Sequence, residues 1–75
     1  MSEQASGDQL KKLYTIATDP DLAAELRFKA IEQLGRIGSH EALRLLLDLI
    51  ANEKLVRQER EAALKQVREI IRSVH

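Results

Sequence analysis

The sequence predicts an all-α protein, and three observations carry that prediction. Apolar residues recur at helical spacing along four separate stretches; Asp-Pro, Gly-Ser and Asn breaks punctuate them; and the two halves of the chain align on each other without a gap. Seventy-five residues leave room for one domain with a modest core, near the size at which burial only just outweighs chain entropy. There is little space for an enclosed active site.

Each element has its own start and stop signal. Ser6 followed by Gln9 matches a capping box, so a first helix is expected over about 6–18, with residues 1–5 as a disordered tail. Asp19 is placed to cap a second helix over about 20–37, with Pro20 in its first turn, where no amide donor is needed. Gly38 then Ser39 reads as a left-handed terminus followed at once by a new N-cap, with Glu41 in the favourable first turn; this sets a third helix over about 39–51. Asn52 is the candidate cap of a fourth, over about 53–74.

Displaced by 33 residues, the separation of Ser6 and Ser39, the chain meets itself. Leu10 falls on Leu43, Leu13 on Leu46, Leu22 on Leu55, Arg27 on Arg60, Ala30 on Ala63, Gln33 on Gln66 and Ile37 on Ile70. A two-helix unit has been used twice, the pattern of helical solenoids. The expected layout is a single domain over 6–75: one unit at 6–38, a second at 39–71 and a short C-terminal extension at 72–75.

Differences between the units carry further expectations. Ala42, Leu45 and Leu49 of the third helix replace Gln9, Lys12 and Ile16 of the first, so the third should have neighbours on two sides. Leu26, Phe28 and Gly35 of the second helix become Glu59, Glu61 and Arg68 of the fourth, which reads as a polar outer helix capping a complete two-unit domain. Gly35 should let the second and fourth helices approach closely, at the roughly 1 kcal/mol that glycine costs inside a helix. Tyr14, aligned with Leu47, is expected in or beside the core.

Composition narrows the function. Twelve basic side chains balance twelve acidic ones, so no global field favours nucleic acid or a membrane surface. Cysteine is absent, which removes disulfides and thiolate chemistry and fits a cytoplasmic location. The start, MSEQASGDQ, does not read as a secretory signal, and the apolar run LRLLLDLI is far short of the roughly 20 residues of a membrane span. The two histidines, His40 and His75, have no partner at metal-ligand spacing. The carboxylate pairs Glu59 with Glu61 and Asp19 with Asp21 read as surface or capping charge, and GRIG lacks the lysine and spacing of a phosphate loop. No enzymatic activity, cofactor or metal is expected.

Arg27, Ala30, Ile31, Leu34, Gly35, Ile37 and Gly38, preceded by an Asp-Pro-Asp turn and followed by an apolar helix, resemble the HEAT repeat family over residues 6–72, most nearly the bacterial HEAT-like variety seen in phycobilisome lyase subunits. The resemblance implies four antiparallel helices arranged as two hairpins in a short α-α superhelix. It also implies a scaffold or protein-binding surface, an accessory subunit of a larger enzyme, or occasionally a nucleic-acid binder. The second unit lacks the Gly-x-x-Gly ending, and two units are fewer than the usual three, so a compact four-helix bundle is the alternative fold.

Two surfaces compete for a binding role. In families of this kind the second helices line the inner face, which here would present Glu25, Lys29, Glu32 and Arg36 beside Gln58, Lys65 and Glu69. Such mixed charge suits polar contacts with another protein. Lys54, Arg57, Lys65, Arg68 and Arg72 would instead form a basic ridge for an acidic partner or a phosphate backbone, interrupted by Glu61, which is expected to pair with Lys65. No aromatic residue accompanies the ridge, so a protein is preferred to nucleic acid as the partner. The chain is expected to be a monomer or a weak homodimer.

Overall fold

The computed structural model describes residues 7–73. It contains α1 (Gly7–Ala17), α2 (Ala24–Ile37), α3 (His40–Ile50) and α4 (Arg57–Ser73), and no strand among the described residues. Displaced by 33 residues, both ends of α1 fall on those of α3 and the start of α2 falls on the start of α4. The sequence repeat is therefore a backbone repeat.

Successive helices pair as hairpins, α1 with α2 and α3 with α4, and the hairpins stack through α2, which packs on both α3 and α4. α1 touches α3 lightly and, among the described residues, does not meet α4. A closed bundle would bring the first and last helices together, so the layered repeat arrangement replaces the bundle alternative. Arg27 meets Glu59 and Gly35 abuts Gln66, so contacts advance along α2 and α4 in the same direction. Those two helices run parallel, as translated copies should.

The third helix starts as its sequence predicts. Gly38 adopts φ 60°, its amide donates to the Leu34 carbonyl at 3.1 Å, and the Ser39 hydroxyl then accepts the Ala42 amide at 3.1 Å. Helices α2 and α4 start four residues later than expected, at 24 and 57 rather than 20 and 53. Asp19 and Asn52 do not cap them. Each carboxamide or carboxylate oxygen instead accepts the amide two residues on, Asp21 or Lys54, at 2.9 Å, and each carbonyl accepts Leu22 or Leu55 at 3.2 and 3.1 Å. These Asx-type turns use the would-be cap locally and delay the helix. Glu53 stands where Pro20 does in the first unit, so proline is not required for the turn. The Ser6 cap lies outside the described residues.

The core confirms the asymmetry expected of α1 and α3. Ala42, Leu46 and Leu49 of α3 are wholly enclosed with Leu45 half-buried beside them, whereas α1 buries Leu10 and Ala17 and leaves Gln9 and Lys12 exposed. Ile31 and Leu34 of α2 and Ala63, Val67 and Ile70 of α4 complete the interior, and Tyr14 packs at its edge. At Gly35 an added methyl carbon would lie 2.9 Å from the Gln66 Cβ, so the close approach of α2 and α4 does depend on glycine.

The expected polar outer helix is only partly realised. Leu26 is 49% exposed while Glu59, at the same repeat position, is 1% exposed, the reverse of the expected burial. On α4 itself Leu64 is 36% and Ile71 49% exposed. Val56 is exposed ahead of the first turn of α4. No described helix is long and apolar enough to cross a membrane.

Candidate functional site

The mixed-charge face is laid out by the repeat. Glu25, Lys29, Glu32 and Arg36 follow one stripe of α2; Gln58, Lys65 and Glu69 occupy the corresponding stripe of α4, where Ala62 replaces the lysine. All seven candidate residues are exposed, and the two helices that carry them are parallel neighbours. Acidic Glu25 sits in the first turn of α2 and Arg36 in the last, each favoured there by the helix dipole. The result is a polar surface made by two units, with charges of both signs.

The basic ridge is less continuous than its spacing suggests. Lys54 lies in the turn before α4, while Arg57, Lys65, Arg68 and Arg72 are exposed on the helix. Glu61 pairs with Arg57, at 3.5 Å, rather than with Lys65. Both partners are well exposed, so the pair contributes at most a few tenths of a kcal/mol.

A buried ion pair joins the two units. Arg27 Nε donates to Glu59 Oε2 at 2.6 Å, and Arg27 Nη1 donates to the Asp19 carbonyl at 3.3 Å and to the Leu22 carbonyl. The carboxylate of Glu59 is enclosed, and such a charge is tolerated only when paired and hydrogen-bonded. One guanidinium thus fastens the α1–α2 turn to the first turn of α4. Glu59, expected as surface charge, is corrected to a structural group; Asp19 is the acceptor of its own turn. The signal available in sequence was the arginine shared by both units, Arg27 and Arg60, with a glutamate entering only in the second. Over this pair lies a cleft of about 490 Å³, with Tyr14, Thr18, Pro20, Leu55 and Val56 among its walls.

His40 is exposed as the first residue of α3, and His75 lies outside the described residues. Among the described residues no group of histidine, aspartate and glutamate is arranged to hold a metal.

Layered helix hairpins in translational register, with an arginine–glutamate pair and a glycine at the contact between units, define a helical repeat protein. The family model for HEAT repeats matches residues 2–65, and the chain belongs to the HEAT repeat family. HEAT repeats generally serve as scaffolds and protein-binding surfaces. No curated protein and no solved structure matches the chain.

Proposed function

We propose that this chain is a non-catalytic, cytoplasmic interaction module that binds another protein through the exposed face of α2 and α4. The observation that carries the reading is the alignment of Glu25, Lys29, Glu32 and Arg36 with Gln58, Lys65 and Glu69 on parallel neighbouring helices, all exposed. Charges of both signs at fixed spacing favour one polar, complementary protein surface and disfavour a polyanion, which would meet Glu25, Glu32 and Glu69. The test is affinity capture with the intact chain, comparing a Glu32→Lys, Arg36→Glu double variant with Arg72→Glu. Loss of a specific bound protein in the double variant alone supports the reading. Equal capture by both variants overturns it. If the captured protein is the larger chain of an enzyme, the module is an accessory subunit; salt-sensitive retention on a polyanion column, abolished by reversing Arg57, Arg68 and Arg72, would move the function to the ridge.

A further inference from the structure

We propose that the outer face of α4 docks an acidic, amphipathic helix of a second protein, with a carboxylate of that helix seated on Arg60. The starting point is an unmatched group. Among the described residues the Nε of Arg60 is buried and meets no hydrogen-bond acceptor. An enclosed donor of this kind carries the cost of its lost hydration until an acceptor arrives.

The molecule itself contains the answered version of this site. Arg27 occupies the same repeat position, and its Nε is met by the Glu59 carboxylate, delivered from the first turn of the next unit's second helix. Arg60 is one unit further on, where no described helix follows. Ile31 and Leu64 form the parallel case: Ile31 is wholly enclosed, whereas Leu64 at the same repeat position is exposed. Arg60, Leu64 and Ile50 line one cleft of about 280 Å³ together with Arg57 and Glu61.

Charge identifies the occupant. Arg57, Arg60, Glu61, Leu64, Arg68 and Ile71 share one stripe of α4 by their spacing, and Glu61 is taken by Arg57. That leaves Arg60 and Arg68 as cations flanking Leu64, with Ile71 beyond. A helix with carboxylates opposite the two arginines and apolar residues between them is complementary; a charged side chain and apolar contacts then contribute together. A second copy stacked head to tail does not supply this chemistry. It would bring Leu26 to Arg60, because Leu26 holds the position of Glu59 in the first unit. Nor can the partner helix lie as close as α4 lies to α2, since Arg68 stands where Gly35 permits that contact.

The experiment uses the full chain and a fluorescent helical peptide with glutamates spaced as Arg60 and Arg68 are and leucines on the same face. Saturable binding is expected, weakened about ten-fold by Arg60→Gln, by Leu64→Ser, and by glutamine in place of the peptide glutamates. Arg36→Gln, on the α2 surface, should leave it unchanged. Circular dichroism melting of each variant establishes that it is folded, and Leu64, being exposed, offers a substitution that does not depend on the partly buried arginine. Failure to saturate at about 1 mM peptide overturns the proposal. So does equal binding by disordered polyglutamate, or indifference to both Arg60→Gln and Leu64→Ser. Self-association in light scattering that Leu64→Ser abolishes would make a second copy the occupant and overturn it as well.

Discussion

Position for position, the first unit is covered by the second, whereas among the described residues nothing covers the second. Ile31 and Leu64 are neighbours in repeat space, yet one is enclosed and the other exposed; Arg27 has a carboxylate at 2.6 Å, while the Arg60 Nε has no acceptor. The backbone is the same in both places. What differs is the presence of a following helix, so equal residues acquire unequal energies from their place in the stack.

The largest expected effect tests the bond between units. Glu59→Ala would leave the Arg27 charge enclosed and unpaired, costing about 3–5 kcal/mol, read as a lowered urea midpoint. Leu26→Ala at the same repeat position should cost under about 1 kcal/mol, because that side chain is half exposed. Replacing both members of the ion pair, Arg27→Met with Glu59→Leu, is expected to recover most of the loss. If the double variant is no more stable than Glu59→Ala, burial of a lone charge is not the cause.

Core truncation sharpens the same contrast. Ile31→Ala should cost about 2–4 kcal/mol and Leu64→Ala less than about 1 kcal/mol in denaturant titrations. Near-equal costs would mean that α4 is covered in solution. Next comes Gly35→Ala. Overpacking against Gln66 costs about 1–3 kcal/mol and the helix gains roughly 1 kcal/mol from alanine, so a small net loss of thermal stability is expected. Adding Gln66→Ala should relieve part of it, while Arg68→Ala at the equivalent position should not lower the melting temperature.

The smallest effects concern helix starts. Ser39→Ala removes an observed cap and should cost about 1 kcal/mol. Ala23 precedes α2 with an extended backbone and no side-chain cap, so Ala23→Ser should add about 0.5 kcal/mol if Asp19 is indeed not the cap. No gain in the thermal midpoint would count against that assignment.

The repeat was legible in sequence because leucine periodicity and the glycine-serine break are local signals, each settled within a turn or two of chain. The starts of α2 and α4 were not. Asp19 and Asn52 can cap a helix or close an Asx turn, and Arg27, eight residues beyond Asp19, reaches back to hold the first turn through the Asp19 carbonyl. The roles of Leu26 and Glu59 were read in reverse for a related reason. Polarity along one helix suggested exposure, but the partner that buries Glu59 is an arginine 32 residues away. Of the candidate surface, charge and spacing correctly marked Glu25, Glu32, Arg36 and the others as solvent-facing. Lys54 belongs to the turn and not to the helix because the Asx turn at Asn52 delays the start of α4, and the unmatched Nε of Arg60 has no signature in one dimension.

That α1 and α4 never meet among the described residues has a kinetic consequence. The bond between units closes a loop of about one repeat, and no pairing of the first helix with the last has to be found by diffusion of the whole chain. Helical proteins dominated by such short-range contacts fold in microseconds to milliseconds. Emerging from a ribosome, the first hairpin would need only the next helix pair to finish its core. The α1–α2 hairpin can therefore form while synthesis continues, but its inter-unit face, including Arg27 and Ile31, stays open until α4, which ends at Ser73, has emerged.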